Sequence, residues 1–83
     1  MIVPTADING KPFSERDRKL LALLLRPQGA MLEVLNSAVT KPGKKPAWSF
    51  KTDSERLAKR IGGTAWRGRE GLGGTRPFGI KPP

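Results

Sequence analysis

The sequence predicts a small, mainly helical α+β domain: three helices followed by one β-hairpin. Three observations predict it. Two segments, "SERDRKLLALLLR" and "AMLEVLNSAV", carry apolar residues at helical spacing. A third, "TDSERLAKRIGG", has both start and stop signals of a helix. The last, "GTAWRGREGLGGTRPFGI", sets Trp66 and Phe78 on either side of a glycine-rich centre, as in a hairpin. With 83 residues there is room for one domain, spanning 14–80, after an N-terminal arm over 1–13 and before a short tail over 81–83.

The arm contains Pro4, Gly10 and Pro12 without periodicity and reads as extended or mobile. Ser14 then offers a hydroxyl to the start of the first helix, about 15–26. Asp17, three residues on, completes a capping-box pattern, and Glu15 and Asp17 suit the positive end of the helix dipole. Leu20, Leu21, Leu24 and Leu25 form its apolar face, and Pro27 ends it. The second helix, about 30–39, buries Met31, Leu32, Leu35, Ala38 and Val39. Glu33, Asn36 and Ser37 are left for solvent, and Gly29 and Ala30 stand where a capping residue is preferred.

The connector "TKPGKKPAWS" has no helical or strand period. Its Lys41, Lys44 and Lys45 fit either a solvated loop or phosphate contact. Trp48 and Phe50 read as anchors pinning the loop to the core, with base stacking as the other role such aromatics take. Thr52 is expected to cap the third helix, about 53–61, with Glu55 completing its capping box. Lys59 and Arg60 lie in its last turn, and Gly62 and Gly63 stop it. At about 100° per residue, Leu57, Ala58 and Ile61 share a packing face, while Arg56, Lys59 and Arg60 fan across the opposite one. The hairpin strands are expected over 64–67 and 75–80, Pro77 facing a free edge because it has no N–H to donate. A disordered Gly- and Arg-rich tail is the competing reading of the same stretch.

Composition narrows the chemistry. There is no Cys and no His, which removes thiolate and imidazole metal sites, disulfides and His-based catalysis, so neither an enzyme nor a metal or other cofactor is expected. The longest apolar run, residues 20–25, is too short to span a bilayer, and a soluble, cytoplasmic protein is expected. Sixteen Lys and Arg against seven Asp and Glu give a net charge of +9, and the balance is +1 over residues 1–40 but +8 over residues 41–83. A small domain this basic suits a polyanionic partner, met through its C-terminal half.

The order helix, helix, helix, Gly-tipped hairpin resembles the winged helix-turn-helix class of DNA-binding proteins over about residues 14–80. "LLALLLRPQGAMLEVLNSAV" looks like the paired helices and intervening turn of small bacterial winged-helix regulators, and "KRIGGTAWRGREGLGGTRPFGI" is similar to their recognition-helix end and wing. One departure is the connection of about ten residues, 40–49, where a tight helix-turn-helix uses three or four. The resemblance implies a sequence-specific duplex-DNA-binding regulator of bacterial, phage or mobile-element type, and a homodimer is compatible with it. Arg56, Lys59 and Arg60 would then read the major groove. Lys51, Thr52 and Ser54 would meet phosphate near the helix start. Arg67, Arg69 and Arg76 would act from the wing, with Gly68, Gly71, Gly73 and Gly74 allowing the turn. RNA binding, and a phage-type inhibitor whose basic face meets an acidic protein, are the alternatives; no membrane or small-molecule partner is expected.

Overall fold

The computed structural model describes residues 3–69 and 76–83. Its elements run α1 (Glu15–Leu24), α2 (Leu32–Val39), α3 (Lys51–Ile61), β1 (Thr64–Arg67) and β2 (Phe78–Lys81), the α+β class and element order expected from the sequence. The expected turn residues Gly71, Gly73 and Gly74, and Thr75 at the expected start of the second strand, lie outside the described residues.

Helix α1 begins where Ser14 accepts the Asp17 backbone N–H at 3.2 Å. Its Leu20, Leu21 and Leu24 are fully buried and meet Leu35 of α2 and Leu57, Ala58 and Ile61 of α3 in one core. Helix α2 starts at Leu32 rather than near residue 30, because Ala30 is taken up elsewhere: its N–H and C=O both pair with Phe78. Helix α3 starts earlier than expected. Phe50 precedes it without a side-chain cap, and Thr52 lies exposed inside its first turn instead of capping it. Ser49 Oγ accepts the Lys51 N–H at 3.2 Å and satisfies one of the free donors there. The stop is as expected: Gly62 adopts the left-handed conformation at φ 75°, and the Gly63 N–H bonds back to Ala58 at 2.8 Å.

Strands β1 and β2 pair antiparallel, with Trp66 opposite Gly79 and Arg67 opposite Phe78. Phe78 and Ile80 turn into the core, where Phe78 meets Phe50 edge-on at 6.2 Å. On the other face the Trp66 ring lies directly over Gly79; a Cβ there would collide with the indole, so the glycine is what lets the ring cover the strand. Strand β2 runs from Phe78, and Arg76 and Pro77, expected within it, stand outside it. Pro77 has no N–H to extend the ladder, although its carbonyl still accepts from Gly68 at 3.0 Å.

Residues 3–13, expected as an extended or mobile arm, fold back on α3. Asp7 Oδ1 accepts the N–H groups of Asn9 and Lys11, both at 2.9 Å, closing a turn, and the Ile8 N–H donates to Arg60 O at 2.9 Å. Phe13 is buried in the core. Among the described residues no helix is long and apolar enough to cross a membrane.

Candidate nucleic-acid interface

The basic residues divide into two sets with different surroundings. The first set faces α1. Arg56 donates a two-pronged fork to Asp17, Nη2 to Oδ1 at 2.9 Å and Nη1 to Oδ2 at 3.2 Å, and also reaches Asp53 at 3.3 Å. Arg16 joins the same Asp53 oxygen at 3.3 Å. Arg60 donates its Nε to Asp7 Oδ2 at 3.0 Å; its Nη2 lies 2.9 Å from that oxygen but out of line for a hydrogen bond. A further Arg60 nitrogen stands 3.5 Å from Asp17, and the guanidinium stacks 4.3 Å above the Phe13 ring.

The titration behaviour of these groups follows their pairing. The Arg56 hydrogen bond, outweighing partial burial, holds the Asp17 carboxyl below its ordinary value, and the same bond raises the Arg56 guanidinium. Burial acts to raise Asp7, but the Lys11 N–H, the Arg60 guanidinium and the Asn9 N–H together hold it lower. Two of the three α3 cations expected to read a groove, Arg56 and Arg60, are therefore bound to carboxylates within the chain; Arg60 keeps only 23% of its side chain exposed. Asp17 shows why. It precedes Leu20, Leu21 and Leu24 by one and two helical turns on the face they share, so folding carries it into the α1–α3 contact, where it must be paired.

The second set has no such partners among the described residues. Lys41, Lys44 and Lys45 are exposed and line a cleft of about 280 Å³ with Arg16, Val39, Thr40, Ala47 and Phe50. Lys51 lines a groove of about 180 Å³ between α3 and the hairpin, with Ser54, Glu55, Ala65, Trp66, Arg67 and Phe78. Arg67 lies across the Phe78 ring at 4.1 Å, at the end of that groove. Arg69 and Arg76 are exposed, and Arg76 Nε donates to Gly68 O at 2.8 Å. Lys59 and Thr52 are exposed on the outer side of α3. Ser54, expected to meet phosphate, is buried at 2% and donates its hydroxyl to Phe50 O at 2.8 Å, the ordinary fate of a serine facing the preceding turn.

Two residues depart from what their pattern suggests. Asn36, expected on the wet side of α2, holds the loop: its Nδ2 donates to Ala47 O at 2.7 Å and its Oδ1 accepts the Ala47 N–H at 2.9 Å. Trp48, expected as an anchor beside Phe50, is 90% exposed, whereas Phe50 is 1% exposed. The chain bends at Trp48 and turns into α3 after Ser49, so the two rings part instead of sharing one side as in an extended segment. Comparison with protein-family models, curated proteins and solved structures finds no match.

Proposed function

We propose that the chain is a nucleic-acid-binding protein of winged helix-turn-helix type that grips duplex DNA through its backbone and acts as a regulator. The observation that carries the reading is the division of charge. The carboxylates Asp7, Asp17 and Asp53 are spent on Arg16, Arg56 and Arg60. Lys41, Lys44, Lys45, Lys51, Lys59, Arg67, Arg69 and Arg76 have no carboxylate within ion-pair distance among the described residues and are exposed. A surface that keeps its cations unpaired is suited to phosphates.

In this reading α3 presents Thr52, Glu55 and Lys59 to the groove, since these lie on its exposed side, with Arg56 at the rim still tied to Asp17. The lysine loop takes the backbone on one side and the hairpin arginines take it on the other. Phosphate contacts then dominate, and sequence is read by few side chains. A titration of labelled duplex DNA competed by structured RNA tests the reading. Duplex binding that weakens steeply with salt and resists RNA competition supports it. Binding that RNA abolishes at equal concentration moves the chain to the RNA-binding class, and affinity indifferent to salt counts against any polyanion.

A further inference from the structure

Trp48 is held outward by the fold. Immediately before it, the Asn36 amide grips the Ala47 backbone by both its N–H and its C=O, as a neighbouring strand would, and Thr40 Oγ1 donates to Asn36 Oδ1 at 2.9 Å and fixes the amide's orientation. On the other side of Trp48, Phe50 is locked into the core against Phe78. The indole therefore projects from a backbone fastened at both ends. A small domain has few large apolar side chains with which to build its core, and this one leaves one of its two tryptophans 90% exposed.

The surroundings select the ligand. Lys44 and Lys45 precede Trp48, and Lys51 follows it; the cleft beside Ala47 and Phe50 is lined by Lys41, Lys44, Lys45 and Arg16 and by no carboxylate among the described residues. A second copy of this chain would bring like charge against like. A membrane would need more apolar surface to insert, and the other exposed large apolar residues among those described, Ile8 and Val34, lie on the N-terminal loop and on α2. An exposed π face with Lys44 and Lys45 four and three residues before it in the chain matches a nucleobase with its phosphates.

We infer that Trp48 is a stacking platform for an unpaired nucleobase whose adjoining phosphates bind Lys44 and Lys45, so that the preferred partner carries a single-stranded segment. The inference rests on the reading above that the chain binds nucleic acid and departs from an intact duplex as the whole of its target, because a base inside an intact duplex offers no free face.

The test uses the full chain with Trp66→Phe, which leaves Trp48 as the sole indole. Probes are oligothymidylate, oligouridylate, a blunt duplex and vesicles of mixed phosphatidylglycerol and phosphatidylcholine, with binding followed separately by anisotropy of labelled oligonucleotide. The expected result is quenching of Trp48 by the single strands and much less by the blunt duplex; the stronger of the two single strands identifies DNA or RNA as the source. Trp48→Ala in the otherwise natural chain should weaken single-strand binding about 5- to 150-fold. Trp48→Phe should recover most of that loss and Trp48→Leu little, a split that a merely apolar contact would not give. Oligonucleotide bound with unchanged emission and unchanged Trp48→Ala affinity overturns the inference while sparing the nucleic-acid reading. No binding of any oligonucleotide at low salt removes both. A blue shift on vesicles with no response to oligonucleotides assigns Trp48 to a lipid surface instead.

Discussion

The two flanks of α3 carry similar side chains with opposite fates. Toward α1, Arg56 and Arg60 are clasped by Asp17 and Asp7 and hold the fold closed. Toward the loop and the hairpin, Lys44, Lys45, Lys51 and Arg67 make no ion pair among the described residues, and Glu55 lines the groove that Lys51 and Arg67 share without pairing to either. The difference lies in what the rest of the chain brings to each flank, and it teaches that a count of positive charges on a helix overstates what is available to a ligand.

The largest expected effect comes from breaking the first flank at its hub. Asp17→Ala removes the Arg56 fork and one Arg60 ion pair, and should lower stability by about 2 kcal/mol in urea unfolding, less than the loss for a fully buried pair because Arg56 remains 41% exposed. Acid probes the same hub. Asp17 titrates below an ordinary Asp carboxyl near 3.8, so the folded state binds fewer protons than the unfolded one around that value. The contribution is full above about pH 4 and is lost as pH falls through the lowered folded value. Unfolding measured against pH should therefore show the wild type and Asp17→Asn converging in acid; a constant gap would mean that the substitution acts through packing.

Asn36→Ala comes next on the opposite flank. It removes two part-buried hydrogen bonds to Ala47 and should cost about 1 to 2 kcal/mol, with the Ala47 amide losing protection from hydrogen exchange while α1 keeps its own. The smallest effect belongs to the free lysines. Lys44→Ala and Lys45→Ala should change stability by less than about 0.5 kcal/mol, since both side chains are exposed and unpaired among the described residues.

Much of this fold is legible in the sequence because its signals are local. The Ser14 cap, the Leu20, Leu21 and Leu24 face, the Gly62 stop and the strands flanking a glycine-rich centre each depend on a few neighbouring residues. Expectation fails where the partners lie far along the chain. Asp17 fits a capping box on sequence, yet its carboxylate meets Arg56, 39 residues away, and Asp7 meets Arg60 across 53 residues. A signal is present even so: Asp17 shares the helical face of Leu20, Leu21 and Leu24, and a carboxylate on a packing face requires a cation. The Thr52 to Glu55 pattern misleads in the opposite way. It is a good local capping signature, overridden because burial of Phe50 draws the helix start back to Lys51. Of the residues expected to meet a ligand, the fold leaves the loop lysines and the hairpin arginines exposed, and it gives Ser54, Arg56 and Arg60 partners within the chain.

The central claim is that the unpaired cations meet phosphate and the clasped arginines do not, and the salt dependence of duplex binding tests it most directly. The slope of log affinity against log salt should be compared for the natural chain, Lys44→Ala with Lys45→Ala, and Arg56→Gln, each confirmed folded by circular dichroism. The lysine pair should lower the magnitude of the slope by about 1.8, at about 0.9 for each phosphate that the variant no longer neutralises, and Arg56→Gln should leave it unchanged. A slope that falls for Arg56→Gln while the lysine pair leaves it untouched would contradict the claim.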